Sequence, residues 1–208
     1  MHTHHPHLFK TDLRKLRPTQ ITVGFAEVKE KRSLWSGMGK TERREFLENH
    51  WFPAIRGPNN NFYITDHHHL GRALLEEGVS QSFVVLLKDL SLLDKDEFWT
   101  VMDHHQWVHP YDAQGHRCGV ADLPKALDQM TDDPYRSLAG EVRHAGGFPK
   151  EATPFAEFLW ADFFRRRISA TQVRRDPNTA LEKALTLCHS PEAAHLPGWS
   201  GLTPLLTS

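Results

Sequence analysis

Cysteine is nearly missing from this chain. The two that occur, Cys118 and Cys188, stand far apart and form no Cys-x-x-Cys. That excludes a disulfide-stapled scaffold and points to a reducing, cytoplasmic setting. Long apolar runs are missing too: nothing approaches the about 18 consecutive apolar residues of a membrane span. The first residues also lack the apolar region of a signal peptide, so no membrane partner is expected. Net charge is almost nil, with 25 Lys+Arg against 26 Asp+Glu. The composition therefore lacks the overall basic footprint of a protein that coats nucleic acid, although a local basic patch stays open. Gly37, Gly39 and Lys40 have neither Walker nor Rossmann spacing and read as a flexible turn, and no His-Glu-x-x-His occurs. There is no internal repeat. What is left is an ordinary globular balance, 39% apolar and 25% charged. It suits one sizeable domain, or a compact domain with a helical extension.

Histidine, by contrast, is abundant, with 15 residues. Several sit in the tract Met1-His2-Thr3-His4-His5-Pro6-His7, which belongs to a segment, 1–15, expected to be flexible and outside the fold. Three others are adjacent, in Asp66-His67-His68-His69-Leu70-Gly71-Arg72-Ala73-Leu74-Leu75. The run Asn61-Phe62-Tyr63-Ile64 leaves a Pro58-Asn59-Asn60 turn and reads as a short strand. Leu70, Ala73 and Leu74 then fall at helical spacing, and Gly78 is a natural stop. This places Asp66 at the N-cap and the three histidines in the helix's first turn, where backbone N–H groups and the helix dipole favour an anion. A carboxylate beside imidazoles also suits a metal or proton transfer. The plain alternative is an ordinary capped helix with exposed histidines.

Elsewhere, 21–28 reads as a strand, followed by a charged stretch, 27–32, that suits a solvated loop. Thr41 can cap a helix over 42–50. Ser82-Phe83-Val84-Val85-Leu86-Leu87 has the look of an interior strand. Strands alternating with helices to about Leu90 predict a small α/β or α+β core. Beyond it the pattern is helical. Asp94 with Glu97 forms a capping box, and Phe98, Val101, Met102 and His105 share one face. The segment Asp103 to Asp112 ends that helix in a loop dense in His, Trp and Tyr, where binding residues concentrate. Further helices are expected from Asp122-Leu123-Pro124, Asp133-Pro134, Thr153-Pro154 and Asp176-Pro177. The organisation predicted is a core over 16–92, a helical portion over 93–188 packed on it, and an extended tail over 189–208.

The first half resembles the ParB/sulfiredoxin superfamily. The resemblance lies in the order of elements, the lead Leu16-Arg17-Pro18-Thr19-Gln20 into a strand, and the polar turn before Leu70-Gly71-Arg72-Ala73. That turn reads G-E-R-R in ParB proteins and G-C-H-R in sulfiredoxins, and is similar to D-G-H-H-R in the free serine kinases of the superfamily. Here it is Asp66-His67-His68-His69. The chain looks most like the ParB-like nuclease group. That group's pattern includes a D-H-H-H turn and a later helix similar to Pro154-Phe155-Ala156-Glu157-Phe158-Leu159-Trp160-Ala161. The resemblance implies a small mixed-sheet core with a helical C-terminal portion, and a nucleotide or phosphate at the turn. By analogy with the kinases it also implies a glutamate base after the first strand, Glu27 or Glu30. Cys118 lies outside the turn, which speaks against sulfiredoxin chemistry. Histidines replace the ParB arginine pair, which speaks against a CTP clamp, and no helix-turn-helix is evident in the second half.

Three functions follow as expectations. The first is phosphoryl chemistry, hydrolysis or transfer, on a nucleotide, a small phosphorylated molecule or a nucleic acid. Asp66 would hold Mg²⁺ or another divalent metal, or accept a proton, with Glu30 as a further catalytic group. His67, His68 and His69 would bind the anion or act as acid and base, and Lys29, Lys31 and Arg72 would neutralise phosphate. The second is a transition-metal hydrolase, with zinc, manganese or iron ligands drawn from Asp66, His67, His69, His104, His105 and His109, and Asp66, His104 and His109 as the set expected. The third is a non-enzymatic DNA-binding or partition factor using Arg165-Arg166-Arg167 and Arg174-Arg175. A wall of His104, His105, Trp107, His109 and Tyr111 is expected to face the turn across a cleft, and the aromatic helix Phe155 to Phe163 to bury against the core.

Overall fold

Leu8–Asp12, within the segment expected to be flexible, is a strand, β1. The computed structural model describes residues 7–201, so the expectation for His2, His4 and His5 lies outside the described residues. After β1 come β2 (Arg17–Pro18), β3 (Thr22–Val23), α1 (Phe25–Gly37), α2 (Lys40–Asn49), β4 (Phe52–Arg56), β5 (Phe62–Ile64), α3 (His68–Glu76), β6 (Gln81–Asp89), α4 (Lys95–His104) and β7 (Thr131–Asp132). Five strands form one mixed sheet in the order β1-β6-β4-β5-β2, while β3 and β7 form a separate parallel pair. The apolar run at 82–87 is interior, as expected: β6 pairs antiparallel with β1 and parallel with β4. β1 is ordered because Leu8 to Asp12 register against Val85 to Gln81, and Asp12 then caps the turn Leu13–Lys15 that follows.

The strand expected over 21–28 shrinks to Thr22–Val23, and the charged stretch after it is helical. The reason is local: Gly24 opens α1, and Glu27 pairs with Lys31 one turn on at 3.2 Å. Such i,i+4 pairs favour a helix over a loop. Helix α2 begins at Lys40, two residues before the Thr41-capped start, with Gly39 at its N-cap. Asp122-Leu123-Pro124 opens no α-helix; it ends a short 3-10 turn, Val120–Asp122.

Helix α3 shows why the motif after the histidines reads as it does. Ala73 and Leu74 are fully buried and Leu70 nearly so. Each fully buried leucine side chain is worth roughly 1.5–3 kcal/mol of transfer free energy. A Cβ on Gly71 would lie 3.0 Å from Leu127 and 3.2 Å from Phe52, so the glycine lets α3 seat closely on both. Gly78 ends the helix in the left-handed region, φ 74°, and the Val79 N–H reaches back to the Leu74 carbonyl. That is the Schellman termination, which glycine adopts without a Cβ penalty.

The chain divides after Asp132, not near residue 92. Residues 93–132 belong to the first unit, where Phe98, Met102, Val108 and Leu123 cluster with Ile55 of β4. The second unit, from Asp133, holds α5 (Pro134–His144), α6 (Ala156–Arg165), α7 (Ala170–Arg175) and α8 (Pro177–Cys188). Asp133 and Asp176 cap α5 and α8 ahead of their prolines, as the sequence predicts. The aromatic helix, expected to bury against the sheet core, has its packing inside the second unit. Trp160, Phe163 and Phe164 build a core of their own with Phe148, Leu138, Val142 and Cys188. The tail is not simply extended either: Pro191–Ala193 makes a 3-10 turn, and Ala193 and Leu196 are buried. No helix among the described residues is long and apolar enough to cross a membrane.

Candidate functional site at the strand-to-helix turn

The turn between β5 and α3 is tighter than an ordinary capped helix start. Asp66 is not the N-cap. That position is His67, held in the left-handed region at φ 64°, ψ 24°. For a residue with a side chain this is an uncommon conformation, of the kind that gathers at functional sites. The exposed Asp66 accepts the His67 backbone N–H at Oδ1, 2.6 Å away, and its Oδ2 has no hydrogen-bond partner among the described residues. The His67 ring is half-buried edge-on to Phe52, and its Nδ1 lies 2.9 Å from the Trp51 carbonyl. A carbonyl only accepts, so Nδ1 bears a proton, and in the neutral ring Nε2 carries the lone pair.

His68 and His69 are not exposed; they are 4% and 8% accessible. His68 Nε2 accepts the backbone N–H of Thr19 at 3.2 Å, and the Thr19 hydroxyl donates to the Ile64 carbonyl at 2.8 Å. His69 Nε2 accepts the Gly24 N–H at 2.9 Å and lies 3.4 Å from Glu27 Oε2. The two imidazoles thus satisfy buried amides of the segment between β2 and α1, which strand pairing leaves out. An unmet buried amide would cost about 1–3 kcal/mol.

The same segment receives the loop after α4. The His109 N–H donates to the Thr19 carbonyl at 2.8 Å, His109 bridges Gln20 in parallel, and its ring stacks on Tyr111 at 4.2 Å. Thr19 therefore joins α3, β5 and the loop. Gln20, also buried, closes the bend by donating to the Thr22 carbonyl. The sequence reading named neither Thr19, Gln20 nor Gly24 as site residues. The available signal was polarity out of place: Thr19, Gln20 and Thr22 stand between the buried Leu16 and Val23 and are buried with them.

The other expected residues are not brought to the turn. Glu30 and Lys29 are exposed on α1; Glu27 is the glutamate beside His69, and Lys31 pairs with it. Arg72, expected to bind phosphate, is engaged elsewhere. Its guanidinium donates to the carbonyls of Leu127, Asp128 and Met130 and to Glu76. His104 and His105 are exposed at the end of α4, where Gln106 at φ 55° breaks the helix before His105 can join its apolar face. His105 stacks on Trp107, which packs beside Phe98 and Val108. Of the predicted wall, only His109 and Tyr111 are led to Thr19. Among the described residues no three His, Cys, Asp or Glu side chains gather to hold a metal ion, so Asp66, His104 and His109 are not a ready ligand set.

A mixed five-stranded sheet whose strand-to-helix turn carries Asp-His-His-His defines a ParB/sulfiredoxin-like protein. The family model described as "Putative ParB-like nuclease" matches residues 9–166, and the chain belongs to that family. It is also similar to a solved structure, that of protein Atu1540 from Agrobacterium tumefaciens. The identity is 46% and the TM-score 0.88, with 95% of this chain and 100% of that one covered. No curated protein compared with the chain matches it.

Proposed function

We propose that the chain breaks or transfers a phosphoester bond of a nucleotide or nucleic acid at the Asp66–His67 turn. The observation that carries this is the left-handed His67 at the N-cap of α3, with the exposed Asp66 carboxylate held on its backbone N–H. A strained residue at a helix opening presents its side chain where the dipole favours an anion. Asp66 Oδ2 would orient the attacking hydroxyl or water, and an imidazole beside it would move the proton. Membership of a family described as nuclease-like supports the substrate class.

The test is turnover of bis(p-nitrophenyl) phosphate, of ATP and of labelled DNA oligonucleotides, each with and without Mg²⁺. Asp66→Asn keeps an oxygen for the His67 N–H, so its stability should change by under about 1 kcal/mol, the scale of a terminal capping contact. Its turnover should fall at least about 100-fold. Wild-type turnover in this variant would place the chemistry elsewhere.

A second reading, nucleic-acid binding without chemistry, draws on the second unit. Arg166, Arg174 and Arg175 are exposed and have no ion pair among the described residues, whereas Arg165 and Arg167 are paired with acids. Binding of a DNA duplex that weakens steeply with salt and is lost on replacing these three by alanine, with no phosphoester turned over, would favour it.

A further inference from the structure

We infer that of the three adjacent imidazoles only His67 moves protons at the turn, through Nε2, while His68 and His69 belong to the scaffold. This deepens the phosphoryl-chemistry reading and rests on it for the identity of the reaction. The three side chains are chemically identical and consecutive, yet the structure spends their nitrogens differently. His68 and His69 have Nε2 on the amides of Thr19 and Gly24, in surroundings less than a tenth accessible. Protonating His68 Nε2 would set its N–H against the Thr19 N–H, and protonating His69 Nε2 would turn it from the Gly24 amide to Glu27 Oε2, 3.4 Å away; either way the amide contact that holds the β2–α1 segment is lost. His67 uses the opposite nitrogen: its Nδ1–H is on the Trp51 carbonyl, which orients the ring and leaves Nε2 with no partner among the described residues, on a half-exposed side chain. A base whose tautomer is fixed by a backbone carbonyl is ready to receive a proton without rotating. Its left-handed backbone sets the ring apart from its two neighbours, which continue into the helix.

The step balances simply. A water oxygen forms a bond to phosphorus while its proton passes to His67 Nε2. The bond from phosphorus to the leaving oxygen breaks with its electron pair, and that oxygen takes a proton from the imidazolium or from solvent. The imidazolium formed still donates from Nδ1 to Trp51, so the ring stays in place through the cycle. No co-reactant beyond water is needed.

The geometry also selects the variants that test this. In His67→Asn the amide nitrogen stands in for Nδ1 and can donate to Trp51, and asparagine tolerates the left-handed region better than most residues. Only Nε2 is lost. In His68→Gln and His69→Gln the side-chain oxygen reaches to about where Nε2 was and can accept the same amide. With bis(p-nitrophenyl) phosphate as probe, His67→Asn should lose about 100-fold or more in turnover at unchanged melting temperature. The two glutamine variants should stay within a few-fold of wild type. Acylation of the folded protein by diethyl pyrocarbonate, mapped by peptide mass spectrometry, gives a readout that needs no activity. Within residues 66–69 the adduct should fall on His67 alone, and His68 and His69 should react only after unfolding. Acylation of His68 or His69 in the folded protein, an unreactive His67, or wild-type turnover in His67→Asn would each overturn the assignment. If wild type turns over no phosphoester, the phosphoryl reading falls, while the acylation map still decides which imidazole is reactive.

Discussion

The two units differ in what they bury. Among the described residues the first buries six polar side chains, Thr19, Gln20, Thr22, His68, His69 and Ser82, and the second buries two, Asp133 and Arg136. Five of the six lie in the two segments that meet at the turn. In the second unit the buried charges are local braces. Asp133 caps α5 and pairs with Arg165, and Arg136 lies 3.8 Å from the centre of the Phe158 ring and meets Glu157. The rest of that core is aromatic and aliphatic. Thr19, Gln20, His68 and His69 are matched by hydrogen bonds, whereas the Thr22 and Ser82 hydroxyls have no partner among the described residues; matched buried polar groups hold a local geometry that packing alone does not specify. By that measure the first unit gathers its matched polar groups at the turn, while the second unit's core is mainly apolar.

The largest effect expected from breaking this contrast is in the second unit. Trp160 is fully buried, stacked on Phe148 at 4.4 Å, with its indole N–H on the Pro197 carbonyl. Trp160→Ala should cost about 3–5 kcal/mol, measured by urea unfolding. A cost below about 1 kcal/mol would mean that the aromatic cluster is not a core. The first unit should respond to polarity rather than volume. His69→Ala strands the Gly24 amide and should cost about 1–3 kcal/mol. His69→Gln, which can accept that amide, should recover most of it. Equal losses in the two variants would show that the ring's bulk matters, not its nitrogen.

A smaller and more selective probe uses the two thiols. Burial pushes the Cys188 thiol up to about 12, while Cys118 is partly accessible on the loop after α4. Iodoacetamide at pH 8 should label Cys118 promptly and Cys188 only as fast as the second unit opens, because the thiolate is the reactive form. Trp160→Ala should speed the second reaction and leave the first unchanged. The smallest effect concerns the brace between α1 and α3. Arg32, then Ser36, hold the Glu77 carboxyl below its ordinary range. Its folded value is depressed, so its contribution is present above the unfolded value and lost as pH falls through the folded one. Glu77→Gln should therefore flatten the acid side of the stability profile slightly, seen as a narrower gap from wild type at pH 3 than at pH 7.

Much of this was legible in the sequence where the determinants are close together. Asp133-Pro134, Asp176-Pro177 and the Asp94–Glu97 box state helix starts within four residues, and β6 is a plain apolar run. The turn itself was found because Asp66 to Ala73 is a local motif. Its working was not legible, because each nitrogen's partner is distant in sequence: Thr19 and Gly24 lie some forty-five to fifty residues from His68 and His69. Adjacent histidines look alike until the fold decides which nitrogen each one spends. The carbonyl partners of Arg72 were hidden for the same reason, since they lie more than fifty residues on. The boundary near residue 92 failed because a change from strand to helix pattern is not a change of core.

The segment that leaves α4 and returns to β7 is pinned at His109 by Thr19, at Lys125 by Arg17 and at 127–130 by Arg72, and Arg117 pairs with Asp103 of α4. Between His109 and Lys125, Tyr111 pairs with Arg117 around a tip where Asp112 accepts the amides of Gln114 and His116 and Gly115 takes φ 80°. The tip is thus set apart from the turn by its own closure and by these anchors. Lengthening a loop costs little, about 0.6 kcal/mol for each doubling. The chain therefore has a place, at Gly115, where an affinity handle or reporter peptide can be grafted without moving His67.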